Sequence, residues 1–358
     1  MERSVAATQE SDEVRKASAK TGRLASLDGL RAISILLVLV GHLSGTRGFG
    51  RPNLGIGDYA HLGVVVFFVI SGFLITTLLL SEHAKNKSVS LKLFYARRSL
   101  RIFPASYAYL ACISLLWLAG LVHLQGRDLW HAATYTMNYT PGRAWEVGHL
   151  WSLSVEEQFY LLWPFAFVAL GPRRAIWAAA SVILLAPVAR SADRLFLIGT
   201  PYHDLEMFPM VADSLAMGCL LAGVRGRIEQ WGWYLRLFRP VYSFLLLALI
   251  LLINRYMGHT VVWVFGTSIV NAGLAILIHR SVYKPGGWIG MALNWGPVAF
   301  VGVLSYSLYL WQQLFLDKHS GAWVNAFPQN LVFVFVAALG SYLILEKPAN
   351  KLRHRLRA

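Results

Sequence analysis

The sequence predicts an all-α polytopic membrane protein with about ten transmembrane helices and no soluble domain. Three observations lead there. Of 358 residues, 56% are hydrophobic and 14% charged, with a mean hydropathy of +0.50, whereas soluble domains carry about 25% charge. The apolar residues fall in long blocks such as Ile33–Leu43, Val64–Leu80 and Phe244–Ile253, and a span needs roughly 20 mostly apolar residues. The basic residues sit in the short segments between blocks, where they act as topology signals.

Taken in order, the expected spans lie near 27–44, 61–81, 104–122, 150–170, 174–190, 206–224, 240–254, 260–279, 297–316 and 328–346. With the N-terminus in the cytoplasm, the inward segments hold roughly threefold more Lys and Arg than the outward loops. An even number of spans returns the C-terminus to the cytoplasm, where Lys351, Arg353, Arg355 and Arg357 lie. Residues 1–25 are polar, mixed in charge and free of an apolar core. They read as a disordered cytoplasmic extension, not a cleavable signal peptide. Residues 26–347 form the membrane domain, and 348–358 a basic cytoplasmic tail.

A net charge of +15 would suggest nucleic-acid binding on a soluble protein. Here topology accounts for it, so the expected partners are the lipid bilayer and phosphate-bearing small molecules, with no nucleic acid. Cys112 and Cys219 lie in apolar stretches, and neither a disulfide framework nor a metal site is expected.

Two connections carry more than topology. In the inward segment 82–103, "FYARRSLRIFP" places Arg97 and Arg101 four apart on one helix face with Arg98 beside them. The apolar Phe94, Leu100 and Phe103 then suggest an amphipathic helix lying on the cytoplasmic surface. The outward loop 123–149 carries Trp130, Tyr135, Tyr139 and Trp145. These residues suit either an interfacial belt or a stacking surface for a sugar ring.

Polar residues inside spans are costly and usually face a cavity or a partner. In the first span, Arg31 and His42 are eleven residues apart, so they share a face about 16 Å apart along the axis. Arg31 could also snorkel and pair with Asp28, and His42 could cap a helix end. The fourth span opens "EVGHLWSLSVEEQFYLLWP", with His149 at its outer boundary and Glu156 and Glu157 two turns inside. Adjacent residues point different ways, so only one glutamate serves a given site. It is either a structural ion-pair partner or a carboxylate that meets His42 and supports proton transfer.

These segments resemble the acyltransferase 3 family. The resemblance rests on "LDGLRAISILLVLVGH", "GVVVFFVISGFLIT", "FYARRSLRIFPASY", "HLWSLSVEEQFYLLWP", "SYSLYLWQQ" and "EKPANKL", in the family's order from residue 27 to residue 352. It implies a membrane O-acyltransferase with acyl-CoA, usually acetyl-CoA, as cytoplasmic donor. The implied acceptor is a hydroxyl of a carbohydrate or glycosylated molecule, such as O-antigen, peptidoglycan, exopolysaccharide, Nod-factor or macrolide sugars. No bound cofactor is expected. The family's first-span arginine and histidine match Arg31 and His42, its basic stretch matches Arg97, Arg98 and Arg101, and its "WSLSxE" glutamate matches Glu156.

On this reading His42 and Glu156 are catalytic, with His42 as general base. Arg31, Arg97, Arg98, Arg101, His149, Trp151 and Ser71 contact substrates. Guanidinium groups at the inner face suit the phosphates of CoA. An acyl-enzyme on His42 or Ser71 is an alternative route, and close helix packing explains Gly72, the neighbour of Ser71. Two positions depart from the family. Val65 stands where some members have a polar residue, and Gln312 where many have histidine. Some members also carry a soluble hydrolase-like domain, whose counterpart here would be a separate periplasmic protein. A proton-coupled transporter is the competing reading, because intramembrane Arg, His and Glu suit both.

Overall fold

The apolar blocks fold as helices because hydrocarbon offers backbone amides and carbonyls no partners. The structure, a computed structural model, describes residues 26–50 and 58–355. The extension expected over residues 1–25 lies outside the described residues.

In chain order the long helices are α1 (Leu27–Leu43), α2 (Tyr59–Asn86) and α3 (Leu91–Leu118). Short helices α4 (Gly126–Ala133) and α5 (Trp145–Gly148) follow, then α6 (Leu150–Ala192), α7 (Phe208–Ile228), the short α8 (Gly232–Arg236), α9 (Pro240–Arg255) and α10 (Thr267–Tyr283). The chain ends with α11 (Gly287–Asn294), α12 (Gly296–Phe315), α13 (Gln329–Ser341) and α14 (Lys347–Arg355). Among the described residues there is no strand.

Among the described residues, seven helical stretches are long and apolar enough to cross a membrane, against about ten expected. The expected first and seventh spans fall on α1 and α9, of 17 and 16 residues, short of the length needed to be counted. The expected fourth and fifth share α6, a 43-residue element broken at Gly171, whose φ of 77° and ψ of 160° are not helical. Glycine reaches that conformation without a Cβ penalty, and Pro172 follows it.

The expected surface helix over 82–103 is not separate. Here α2 runs on to Asn86 and α3 starts at Leu91, capped by Ser90 Oγ, which accepts from the Leu93 amide at 3.3 Å. The arginines therefore occupy the first turns of a long helix that continues through Pro104. Proline is tolerated there because packing in a bundle compensates the lost bond. The expected tail is partly helical as well: α14 packs against α3.

Helix α1 is central, packed between α2 and α12, while α2 also packs against α7, and α7 against α6. Glycines make the closest approaches. A Cβ on Gly72 would strike the Leu215 carbonyl of α7, and one on Gly218 would strike the Val69 carbonyl of α2. Gly302 of α12 lies likewise against the Asp28 carbonyl of α1. Small residues let backbones touch where no hydrophobic effect drives helices together. Outward faces of α6 and α9 expose Leu161, Leu162, Phe165, Leu184, Phe244 and Leu245, as hydrocarbon permits.

One buried ion pair fastens α6, α7 and α10. Arg190 donates from Nη2 to Asp213 Oδ1 at 2.5 Å, from Nε to the Met210 carbonyl at 2.9 Å and from Nη1 to the Val264 carbonyl at 3.0 Å. Ser268 Oγ donates to the other Asp213 oxygen at 2.7 Å. Val264 lies in a π-helical turn, Val262–Gly266, at the head of α10, where widened turns free a carbonyl for an outside donor.

Candidate active site

Polar side chains of α1, α2, α3, α6 and α12 line three cavities that share walls. The largest, about 730 Å³, opens at the end of the bundle where α1 begins. Arg31, Lys85, Arg97, Arg98, Arg101 and Arg353 line it, against three acids, Asp28, Glu82 and Glu346. Arg31 pairs with Asp28 at 3.1 Å and Arg97 with Glu82 at 3.3 Å. The Arg98 guanidinium lies 3.5 Å over the Tyr160 ring, which holds it without neutralising it. Glu346 accepts a bond from Ser307 Oγ.

A narrow cavity of about 80 Å³ lies beyond, sharing Arg31, Arg98, Arg101, Ser305 and Tyr306 with the first. Its lining is rich in hydroxyls: Ser71, Ser152, Tyr160, Ser305, Tyr306 and Tyr309. Glu156 is the carboxylate in this lining, and Ser71 Oγ donates to its Oε1 at 2.6 Å. Glu157, next in sequence, is absent from the lining, as expected of adjacent helix positions.

The third cavity, about 300 Å³, sits at the opposite end and shares Val64 and Tyr309 with the middle one. His42 lines it with Asp58, His61, Arg143, Trp145, Trp151 and Glu206. His42 Nδ1 lies 2.7 Å from Gln312 Oε1. Trp145 meets the imidazole edge-to-face at 5.5 Å and is itself fixed by its indole N–H, which donates to the Gln313 carbonyl at 2.9 Å. Arg143 pairs with Glu206 at 2.7 Å. His61 stacks on Trp151 with ring centroids 6.3 Å apart.

The family model for the acyltransferase domain matches residues 24–346. The chain belongs to the acyltransferase 3 family. Among similar proteins, the peptidoglycan O-acetyltransferase OatA of Listeria monocytogenes is 27% identical over 318 residues, covering 80% of this chain and 48% of that protein. The O-acetyltransferase OatA of Staphylococcus aureus is 27% identical over 363 residues, covering 92% of this chain and 57% of that protein. The chain thus spans about half the length of the curated relatives it matches. No solved structure matches it.

For this acyltransferase-family chain the structure brings all nine sequence-predicted site residues to three adjoining cavities. Arg31, Arg97, Arg98 and Arg101 gather at one end, Ser71 and Glu156 in the middle, and His42, Trp151 and His149 at the other end. One expected pairing is absent: Glu156 does not meet His42. His42 is the penultimate residue of α1, at the mouth of the bundle, whereas Glu156 lies six residues past the start of α6, about 9 Å deeper along the axis. The sequence places Glu156 two turns inside its span but gives no depth for the end of α1 beside it.

His149 is less available than expected. Its Nδ1 lies 2.5 Å from Gln313 Oε1 and its Nε2 3.1 Å from the Leu310 carbonyl. Its own carbonyl accepts from Tyr309 Oη at 2.8 Å. Both ring nitrogens are engaged, so His149 ties α6 to α12 at the edge of the cavity. Of the four loop aromatics, Trp145 lines the cavity, while Trp130 is 68% exposed.

Sequence reasoning missed the contribution of α12. Ser305, Tyr309 and Gln312 recur at spacings of four and three, which puts them along one helix face, with Gln313 at its edge. That polar stripe inside "SYSLYLWQQ" was the available signal. His61, Arg143 and Glu206 lie on three separate segments, and nothing local links them.

Proposed function

We propose that this protein is an O-acyltransferase that moves an acyl group, most simply acetyl, from cytoplasmic acyl-CoA to a hydroxyl of a glycan or glycosylated acceptor across the membrane. The observation that carries this reading is the order of the three adjoining cavities: guanidinium groups at one end, hydroxyls and one carboxylate in the middle, and an imidazole at the other. With the positive-inside orientation, the arginine end faces the cytoplasm and His42 the outer side of the inner membrane. The acetyl group follows what the similar proteins are named for, O-acetyl transfer, to peptidoglycan in the Listeria monocytogenes protein.

The chemistry follows the geometry. Six cationic side chains around a wide mouth suit the phosphates of CoA, with Arg97, Arg98 and Arg101 as forks. The thin pantetheine arm, with its two amides, suits the narrow hydroxyl-lined middle, where Ser71, Glu156, Tyr306 and Tyr309 offer hydrogen bonds. The thioester then reaches the far cavity. There His42 takes the proton of the acceptor hydroxyl as that oxygen attacks the thioester carbonyl. The carbon–sulfur bond breaks, and the departing thiolate receives that proton from the imidazolium. Trp145, Trp151 and the acidic Asp58 and Glu206 offer a stacking face and acceptors for sugar hydroxyls.

The cationic mouth and the imidazole cavity at the other end place a site for an anionic donor and a base on the two sides of one bundle, which favours a transferase over a carrier of glycans. The decisive test is His42→Ala in purified protein with acetyl-CoA and a glycan acceptor. Loss of transfer with normal insertion is expected; unchanged transfer would reject His42 as the base. Transport of an acceptor in vesicles without any thioester turnover would instead favour the carrier.

A further inference from the structure

We propose that Gln312 is the positioning residue of His42, holding its imidazole in the tautomer that leaves Nε2 free to take a proton. This rests on the reading of His42 as base and supplies what Glu156 was expected to provide. The contact is direct: Gln312 Oε1 lies 2.7 Å from His42 Nδ1. A carbonyl oxygen only accepts, so Nδ1 carries the hydrogen and Nε2 keeps its lone pair. Among the described residues no hydrogen bond reaches that Nε2, and the ring lines the far cavity.

The cost of the arrangement argues for a purpose. Gln312 is fully buried, and its amide nitrogen has no hydrogen-bond partner among the described residues. A buried unsatisfied donor is destabilising, so an apolar residue would serve packing better. Gln313, one position on, is spent on His149 and its backbone amide. Two successive glutamines of α12 thus hold two histidines, one sealed into the helix interface and one at the cavity.

A neutral amide differs from a carboxylate in this role. Both fix Nδ1–H, but a carboxylate also stabilises the imidazolium, and in a low-dielectric site that effect is large. The charged and titratable groups facing His42 are few. Asp58 and His61 come from α2, His149 from the α5–α6 junction, Arg143 and Glu206 from the loops, and Lys318 from the end of α12. Arg143 and Glu206 offset one another. Gln312 therefore fixes the ring without placing a formal charge beside it.

Three measurements test this. In full-length protein labelled with 15N-histidine, the His42 signal, assigned by its loss in His42→Asn, should show the Nδ1–H tautomer at neutral pH; an Nε2–H tautomer overturns the proposal. Gln312→Leu should lower kcat by roughly ten- to a hundredfold with donor and acceptor KM nearly unchanged; an unchanged kcat overturns it. Gln312→Glu keeps an acceptor on Nδ1, so it should retain more activity than Gln312→Leu, with the acid limb of its pH profile moved to higher pH. Should Gln312→Leu fail to fold, the tautomer and the Glu variant still decide. If His42→Ala remains active while Nδ1–H is observed, the base assignment fails and the positioning contact stands as structure alone.

Discussion

Glu156 and Ser71 bond to one another and line a different cavity from His42, and that changes what each should do when altered. Glu156 accepts from Ser71 Oγ at 2.6 Å within the narrow middle of the passage. Its place there suits hydrogen bonds to the amides of an extended donor arm. Glu156→Gln keeps an oxygen acceptor but loses charge, and it should raise the donor KM by about tenfold. The pH dependence governed by His42 should stay where it is. A shifted pH profile at unchanged donor KM would return Glu156 to the proton path. Ser71→Ala should act in the same direction and leave transfer measurable, whereas a Ser71 acyl-enzyme requires its loss to abolish turnover. The residue types were readable from sequence, because Arg, His and Glu are rare within spans and demand a cavity. Their partners were not. Gln312 is a common polar residue on a distant helix, 270 positions from His42, and only folding makes them neighbours.

At the scale of elements, helix contacts rest on glycine and on one ion pair. Gly72 and Gly218 press α2 and α7 together so closely that each Cβ would meet backbone of the other helix. Gly218→Leu should therefore abolish a monodisperse folded protein in detergent, as read by size exclusion. Gly226→Ala, on the same helix in open space, should leave it intact. Equal behaviour of the two would show that α2 and α7 tolerate separation. Asp213→Ala strands the buried Arg190 guanidinium, and breaking such a pair costs about 3–5 kcal/mol. The thermal midpoint in detergent should fall clearly, whereas a substitution at exposed Trp130 should not move it. Helix positions followed from apolar blocks, and α2, α7 and α12 fall close to their expected ranges. The beginning of α3 did not, because a basic stretch before Pro104 looks like a surface helix when read locally. Packing against α12, the π-helical turn Tyr342–Glu346 and α14 instead keeps it continuous with the span.

On the scale of the whole molecule, charge is distributed along the passage as the proposed reaction needs it. The wide mouth carries six cationic against three acidic side chains, and the far cavity carries Arg143 and two acids beside its histidines. That distribution suits an anionic donor at one end and a largely neutral acceptor at the other. The excess of Lys and Arg expected to orient the chain also supplies this asymmetry, so counting charges in the sequence does not separate topology from donor binding. The structure separates them by place: Arg98 and Arg101 line the mouth and the middle, whereas Arg173, Arg236 and Arg239 line neither. Joint reversal of Arg97 and Arg98 to glutamate should raise the acyl-CoA KM by roughly a hundredfold and flatten its salt dependence, since charge attraction weakens as ions screen it. Reversal of Arg236 and Arg239 should leave the KM near its starting value, provided protease accessibility shows the same orientation. If the two pairs behave alike, the mouth serves only to orient the chain and the donor binds elsewhere.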